Sequence, residues 1–404
     1  MRKTQTSFIA AVLLCLIAAS CSISTAQDDI EISAEVRYRG ELDHKTFDLD
    51  DGTNDFNLLR TRLRLDLKPG ARTRAVVVLQ DSRAFGNPES GATAGDDNLG
   101  IHEAHFVIER FIWDWLNLRA GRVELDFGNG RLIGAGWWGN GGRSFDAVHL
   151  WLSRPSIILN YLFAVRVERF ERDQTDASTS ILYARFPRAQ ADLFLIYDYD
   201  GRIFAGERLL GRLTAGTYSA REFGGGWDYI SNLAFQFGAY LEYDIAAWLA
   251  TLEIGRILNE EKHYRAALGA DLASGDDPDR DDWGVFDNLY YTGHKSRGYM
   301  DLFVPSKVEG LFDFYLRQTA SPWDKVTIGG DLHYFRTHRE YTSVYTDNET
   351  NSVGIELDLY LRTVRIENAT VEIGGAVFLP SEDWEGADAD PALWGYTMIT
   401  VRLP

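Results

Sequence analysis

Residues 58–67 read Leu-Leu-Arg-Thr-Arg-Leu-Arg-Leu-Asp-Leu, and this alternation constrains the fold more than any other segment of the chain. Because successive side chains of a β-strand point to opposite faces, the arginines share one face and the leucines share the other. A soluble sandwich would bury the leucine face against a second sheet. A membrane barrel would turn the leucines toward lipid and the arginines toward a lumen. The rest of the sequence has to distinguish these two folds.

The first 26 residues have the pattern of a secretory signal peptide. Two basic residues precede an apolar run over 8–19, and small residues follow up to Ala26. The run is shorter than the roughly 20 apolar residues that a membrane-spanning helix needs. We expect cleavage after Ala26 and a mature chain over 27–404. Lipoprotein processing at Cys21 is the alternative, although Ala18 stands where a lipobox has a branched aliphatic residue.

Both cysteines, Cys15 and Cys21, lie in this leader, so we expect a mature protein without thiols. Exported domains with small cores usually add disulfides. The mature sequence also has no run of roughly 18 apolar residues that could cross a membrane as a helix. A closed barrel is the other structure that satisfies every backbone group in lipid. The composition fits such a barrel, since the chain has 22 Phe, 19 Tyr and 11 Trp but only 10 Pro.

About 18 segments of roughly 10 residues alternate in this way, as transmembrane barrel strands do. The clearest segments are 30–40, 56–67, 72–82, 101–110, 157–167, 189–199, 308–318, 325–336, 352–361, 368–377 and 393–403, and weaker ones are 115–122, 144–153, 179–186, 207–218, 229–240, 246–258 and 263–272. Short turns alternate with longer loops at 41–54, 83–98, 123–143, 168–177, 273–307, 337–350 and 378–392. The stretches 219–228 and 241–245 fit poorly. We predict an all-β antiparallel barrel with short periplasmic turns and long extracellular loops.

The distribution of charge narrows the function. A net charge of -19 argues against a nucleic-acid partner, which needs a basic surface. The acidic residues concentrate in the long loops, whereas arginines stand on strand faces predicted to be luminal. On these faces we predict that the pore is lined by Arg37, Arg60, Arg62, Arg64, Arg74, Arg119 and Arg317. Carboxylates share the luminal faces, among them Glu103, Glu109, Asp313, Asp331, Glu356, Asp358 and Glu372, and we expect most of them to form ordinary ion pairs.

The segment 121–146 is dense in glycine and arginine, which lets a loop fold tightly. Composition alone leaves two placements open. The loop either bends into the pore, where Arg131 and Arg143 form a constriction, or stays on the surface. Its order Gly-Arg-x-Glu-Leu, Gly-x-Gly-Arg-Leu-Ile-Gly and Gly-Arg-Ser-Phe-Asp resembles the alginate export family of outer-membrane barrels. Matching stretches over 273–302 include Ala-Ser-Gly-Asp, Thr-Gly-His-Lys and Gly-Tyr-Met-Asp-Leu.

The resemblance extends over the mature chain and implies an 18-strand barrel whose arginine-rich pore passes an anionic uronate polymer outward. Carried over by position, Arg122, Arg131 and Arg143 match the motif arginines, so the resemblance implies that they also line the pore. His149 stands where another arginine would be expected. Guanidinium groups bind carboxylates in a bidentate fork and remain charged, so rings of arginine select anions. Weak, repeated sites let a polymer move on.

Other site chemistries fit less well. The acidic run 276–282 could bind calcium, but its spacing is not that of an EF-hand, and a solvated loop is the favoured interpretation. His102 and His105 are three apart, so strict alternation puts them on opposite faces and keeps them from sharing a metal. No serine and histidine pattern indicates a catalytic site. We expect Trp113, Trp115, Trp151, Trp323 and Trp394 to form interfacial girdles, and carbohydrate stacking on Trp137 and Trp138 is a secondary hypothesis.

These observations favour a monomeric outer-membrane channel for an anionic polysaccharide, with no enzyme activity, metal or cofactor. Its expected partners are outer-membrane lipid, the polymer, and periplasmic scaffold or secretion proteins. Two alternatives stay open: an uptake porin for anionic oligosaccharides or small solutes, and a structural or adhesive barrel with a closed pore. A static pore has no intrinsic direction, and the family resemblance alone favours export.

Overall fold

The computed structural model describes residues 29–85, 99–167, 176–204, 206–303 and 306–403. The predicted signal peptide and most of the loops 83–98 and 168–177 lie outside these ranges. Within the described residues, no helix is long and apolar enough to cross a membrane. The helical elements described there are one α-helix, α1 (Glu382–Glu385), and the 3-10 turns Gly224–Gly226 and Gly293–Lys295.

Eighteen antiparallel strands form one closed barrel, as the sequence predicts. They are β1 (Ile30–His44), β2 (Asn54–Gly70), β3 (Thr73–Phe85), β4 (Leu99–Ile108), β5 (Asn117–Val123), β6 (Phe145–Arg154), β7 (Ile157–Val167), β8 (Ala177–Phe186), β9 (Ala191–Phe204), β10 (Glu207–Phe223), β11 (Trp227–Tyr240), β12 (Tyr243–Asn259), β13 (Tyr264–Ala273), β14 (Leu311–Trp323), β15 (Val326–Thr342), β16 (Glu349–Thr363), β17 (Ala369–Pro380) and β18 (Ala392–Leu403). Each strand pairs with its sequence neighbours, and β1 closes on β18 from Ala34 opposite Leu403 to His44 opposite Leu393. Closure leaves no open edge, which lipid would not tolerate.

One rim carries short connections and the other carries most of the long ones, as in outer-membrane barrels. β2 and β3 are joined by two residues, 71–72, whereas β5 and β6 are separated by 124–144 and β13 and β14 by 274–310. The segments that fitted the sequence pattern poorly are now explained. Residues 219–228 are two strand ends and a tight turn, and 241–242 is a tight turn on the long-loop rim, where β9 ends at Phe204 and β10 begins at Glu207.

The outward face of the barrel is apolar and the inward face is largely polar. In β16, Ile355, Leu357, Leu359 and Leu361 point outward and are 41–57% exposed, whereas Glu356 and Asp358 point inward and are fully buried. β2 has the same arrangement, with its arginines inward. Apolar side chains left uncovered on a soluble surface would be costly. The leucine face of the barrel therefore lies against lipid.

Two of the long connections fold into the barrel. We call 124–144 inward loop 1 and 274–310, as far as it is described, inward loop 2. Their backbones pair, because Tyr290 donates its N–H to the carbonyl of Leu132 at 2.9 Å and its carbonyl accepts the N–H of Gly134 at 2.9 Å. Each loop packs apolar side chains against the wall, Ile133 in one buried cluster and Met300 in another. The lumen is thus narrowed by a joint structure of both loops, and the loop 123–143 lies inside rather than on the surface.

Candidate functional site

Arginines gather on one side of the lumen, on the strands of the N-terminal third of the chain. We call them the basic wall: Arg37 and Arg39 of β1, Arg60, Arg62 and Arg64 of β2, Arg74 of β3 and Arg119 of β5. Alternation explains the grouping, since residues two apart share a face and β1 to β5 are sequential neighbours. Because β2 runs toward its short turn, Arg64 lies nearer the periplasmic rim than Arg60 does. The wall therefore extends along the pore axis.

The end of the basic wall farther from the periplasmic rim binds the backbone of inward loop 1. Arg37 Nη1 donates to the carbonyl of Trp137 at 2.6 Å, and Arg39 Nη1 donates to that of Trp138 at 2.6 Å. Arg60 contacts the carbonyls of Trp137 and Gly139 at 3.4 Å. These three arginine residues are 3–5% exposed. Their first role is to anchor the loop, which satisfies buried carbonyl groups that would otherwise be unpaired.

Trp138 completes this anchorage. Its ring stacks on His294 of inward loop 2 with centroids 3.6 Å apart, and Arg39 lies 3.9 Å above the ring centroid. Trp394 and Tyr396 of β18 contact the same ring edge-on. Trp138 is 8% exposed, whereas its neighbour Trp137 is 43% exposed. Of the two tryptophans, only Trp137 offers an open ring face for a sugar.

The middle of the basic wall is paired with carboxylates. Arg64 Nη1 lies 3.0 Å from Glu103, and Arg62 lies 3.5 Å from Glu124. His102 Nε2 lies 2.8 Å from the same Glu124 carboxylate. Burial alone would raise the pKa of Glu124, but the hydrogen bond to His102 and the charge of Arg62 outweigh it and hold the pKa below the ordinary 4.5. Arg64 remains about a third exposed, so it faces the open lumen.

Arg74 and Arg119 lie at the periplasmic end. Arg74 binds Asp66 through two nitrogens, and its side chain is 46% exposed. Arg119 Nη2 lies 3.1 Å from His149 Nδ1, and its Nε has no hydrogen-bond partner. Both residues line a cavity of about 870 Å³ together with Trp151. This cavity is the wide, partly basic entrance to the lumen from the short-turn rim.

The two predicted arginines of inward loop 1 are used for structure. Arg131 is 2% exposed and forms two hydrogen bonds to Asp271 of β13, at 2.5 and 2.9 Å. Arg143 donates to the carbonyl of Gly134 at 2.9 Å, to that of Tyr291 at 3.3 Å, and also to that of Tyr290. Burial lowers the pKa of the Arg143 guanidinium. Both residues lie at the constriction, where they join the two inward loops and the wall.

The structure corrects the predicted placement of Arg122. The register pairs it with Ala104 and Asp146, on the strand face that carries Phe106 and Val148, and Phe106 is 45% and Val148 46% exposed. That face points out of the barrel. Arg122 forms a bidentate pair with Asp146 at 2.7–2.8 Å there. The prediction that Arg122 lines the pore is therefore wrong, because a motif match does not specify which way an alternating residue points.

Other predictions also fail for local reasons. A register shift in the β3–β4 pairing lies beside His102, so strict alternation is broken and both His102 and His105 lie inward. Trp394 is 5% exposed and donates to Glu41, and Trp151 packs on His149 beside the periplasmic cavity, so neither belongs to a lipid-facing girdle. Trp113, Trp115 and Trp323 are exposed near the short-turn rim, where a girdle is expected.

The acidic run 276–282 has conventional partners. Asp276 accepts the N–H of Gly284, Asp277 pairs with Arg339 at 3.1 Å, and Asp282 pairs with Arg280 at 2.6 Å. Its carboxylates do not converge on a common point, in keeping with the solvated-loop interpretation.

Opposite the basic wall, the later strands form an acidic wall. Its inward carboxylates are Glu253 of β12, Asp271 of β13, Asp313 of β14, Asp331 of β15, and Glu356 and Asp358 of β16, all at most 4% exposed. Arg297 of inward loop 2 joins Arg131 on Asp271, at 3.2 Å.

The sequence analysis missed Arg297 and Arg39. Arg39 could have been found from its spacing of two from Arg37, but nothing local in the sequence indicates the contact of Arg297 with β13.

A closed 18-strand barrel with an apolar outer face, a charged lumen and loops folded into it defines a porin-like channel of the outer membrane. The comparisons with known proteins agree. The family model for alginate export matches residues 28–387, so the chain belongs to the alginate export family. No curated protein matches the sequence.

Solved outer-membrane proteins share the fold at low identity. OpdK from Pseudomonas aeruginosa, in a structure with vanillate, has a TM-score of 0.60 at 13% identity, covering 92% of this chain and 98% of that one. OccK9 (OpdG) from the same organism has a TM-score of 0.63 at 12% identity over 93% and 99%. A BenF-like porin from Pseudomonas fluorescens Pf-5 has a TM-score of 0.61 at 10% identity over 93% and 99%. At these identities the likeness concerns the fold alone, and the outer-membrane location follows from membership of the family.

Proposed function

We propose that this channel conducts an anionic polysaccharide outward, with uronate polymers of the alginate type as the substrate class. The observation that carries the proposal is the basic wall, which extends from the periplasmic cavity at Arg119 toward the inward loops at Arg60. An anionic chain entering from the periplasm would meet Arg74, Arg119 and Arg64 first, and Arg64 and Arg74 keep about a third to nearly half of their side chains exposed. Membership of the alginate export family supports the direction and the polymer class.

The wall suits passage better than tight binding. Glu103 and Asp66 already pair with Arg64 and Arg74, so a passing carboxylate competes with an internal one. Such sites bind weakly and release quickly, which conduction requires.

Planar-bilayer recording tests the proposal. In a salt gradient we expect anion selectivity, and Arg62→Gln with Arg64→Gln should reduce it. Arg122→Gln is the matched control, because the same charge is removed from the outward face. Polyuronate oligomers added on the periplasmic side should block the current in a salt-dependent way, with shorter blocks in the double variant. Cation selectivity, or equal blocking by a neutral polysaccharide, would contradict the proposal.

Uptake of small anionic solutes is the second candidate, and the inward loops favour it because they narrow the lumen. It predicts block by small carboxylates at concentrations where polymer has no effect. Genes for polymer synthesis and periplasmic scaffold proteins beside this one would support export, whereas genes for uptake and catabolism would support the second candidate. A structural barrel, by contrast, predicts no current under any condition.

A further inference from the structure

The acidic wall contains a buried cluster that the transport proposal does not use. It consists of Asp313, Asp331, His333, Glu356 and Asp358, and we call it the β15–β16 cluster. The register places Asp331 opposite Asp358 and His333 opposite Glu356 on neighbouring strands. Asp313, on β14, reaches the same imidazole from the other side. The side chains of Asp313, His333 and Asp358 are 0–1% exposed, and that of Asp331 is 3% exposed.

Part of the cluster is internally satisfied. Both oxygens of Asp313 lie 2.9 Å from His333 Nδ1. Asp331 pairs with Arg317 at 2.8 Å, and Glu356 Oε1 accepts the N–H of Met300 of inward loop 2 at 2.9 Å. These contacts fix the orientation of each side chain.

The remaining polar atoms have no hydrogen-bond partner. They are His333 Nε2, Glu356 Oε2 and both carboxylate oxygens of Asp358. His333 Nε2 is 3.5 Å from Asp358 Oδ2 and 3.9 Å from Asp331 Oδ2. One ligand atom from each of Asp331, His333 and Asp358 lies within 4.8 Å of the others, which is the one such group of three or more His, Cys, Asp or Glu residues in the described part of the chain. Three electron-donating atoms thus surround a common point.

A cation bound at that point would offset the negative charge of the buried carboxylates. If all four carboxylates are ionised, the cluster carries four negative charges, and the cations in contact with them are Arg317 and, when protonated, His333. Buried carboxylates without compensation are strongly unfavourable. If Nδ1 carries the ring proton and donates a hydrogen bond to Asp313, the neutral imidazole directs its Nε2 lone pair at two carboxylates. A cation bound between these three acceptors would remove their mutual repulsion. A carboxylate behind a histidine is also the usual outer partner of a metal-bound imidazole.

We propose that Asp331, His333 and Asp358 bind a divalent transition-metal ion, with Zn²⁺ the best match. One imidazole nitrogen with carboxylate oxygens suits Zn²⁺ or Mn²⁺, whereas Ca²⁺ and Mg²⁺ prefer oxygen ligands alone. The ion would link β15 to β16. Because Glu356 also holds Met300, the ion would fix the wall against which inward loop 2 rests.

Metal titration of the full channel tests this site. We expect chelator-treated protein in detergent to bind one equivalent of Zn²⁺ by calorimetry and to gain thermal stability. Asp358→Asn and His333→Gln should abolish both effects, and Asp313→Asn should weaken binding by about 10- to 100-fold, as loss of an outer partner does. Glu372→Gln, an inward carboxylate on β17 outside the cluster, is the matched control and should bind as the wild type does.

Circular dichroism of the chelator-treated variants separates folding from binding. Asp358→Asn removes one negative charge from a crowded site, so the metal-free variant should be at least as stable as the metal-free wild type. Equal Zn²⁺ binding by this variant and the wild type, or no saturable binding of Zn²⁺ or Mn²⁺ by the wild type, would overturn the site. Binding of Ca²⁺ in preference to both would overturn the assigned metal class. Bilayer currents are not part of this readout, so the site and the transport proposal can fail independently.

Discussion

At the scale of single residues, arginine has two distinct uses in this lumen. Arg37, Arg39 and Arg143 bind backbone carbonyls and hold the inward loops in place. Arg64 and Arg74 pair with carboxylates but keep much of their surface open. Counting arginines in the sequence cannot separate these uses, because carbonyl partners are distant in the chain. The number of arginines therefore overstates how many guanidinium groups a substrate can reach.

Asp271 provides a test of the buried pairs. Replacing it with Asn leaves Arg131 and Arg297 buried without a counter-charge, and we expect a loss of about 3–5 kcal/mol in the free energy of unfolding. Urea unfolding in detergent micelles measures this loss. Asp279→Asn, in an exposed part of inward loop 2, should change the free energy by less than about 0.5 kcal/mol. Equal effects of the two substitutions would show that the buried pairs contribute little.

The sequence analysis predicted no metal site, and the proposed Zn²⁺ site departs from that expectation. Asp331 and His333 share a strand face by their spacing of two, but Asp358 joins them only through the register of β15 with β16. Register depends on where each hairpin turns, which the sequence pattern of β15 does not specify. Clusters built across strands are therefore the part of the site that was hardest to predict.

At the scale of elements, the strands were predictable and the loops were not. Alternation of side chains is a local property, so the predicted segment 56–67 falls inside β2. The path of inward loop 1 depends on pairs such as Arg131 with Asp271, which are 140 residues apart. The bulge beside His102 is also decided by pairing with β3 rather than by local sequence. Composition left two placements for this loop, and long-range contacts selected the one inside the barrel.

Trp138 is the element-scale test, since it joins inward loop 1, inward loop 2 and β18. Trp138→Ala removes the stack on His294 and leaves a cavity, and we expect a loss of about 3–5 kcal/mol in stability. The loosened loops should also raise single-channel conductance and current noise. Trp137→Ala is the matched control, because the neighbouring ring is largely exposed, and it should leave stability and conductance near wild-type values. If Trp138→Ala leaves the conductance unchanged, the two loops do not form the constriction.

At the scale of the whole molecule, the polarity of a soluble protein is reversed. Apolar side chains cover the outside, and charged residues with two small apolar clusters fill the inside. This arrangement is stable where lipid or detergent covers the apolar outer face. The overall architecture could be predicted from the sequence because the alternation within each strand shows which of its faces is apolar and lies against lipid.

An arginine scan of the outer surface tests the lipid-facing assignment. Leu357→Arg, near the middle of β16, should cost about 2–4 kcal/mol in vesicles, because a charge would enter the hydrocarbon core. Ile366→Arg lies in the turn after β16 and is the control: Ile366 is 60% exposed and Leu357 is 45% exposed, yet the cost should be below about 0.5 kcal/mol. Folding in lipid vesicles, followed by urea unfolding, gives both values. Similar costs would mean that β16 does not face lipid.

The outer mouth of the barrel is uneven. Only two residues connect β9 to β10 and β11 to β12, whereas the connections of the other hairpins on this rim are longer. The extracellular rim is therefore lowest over β9 to β12. Under the proposed export function, a stiff polymer leaving the pore would meet the least obstruction on this side of the mouth. The short connections would then set the direction in which the polymer leaves, without any residue that binds it.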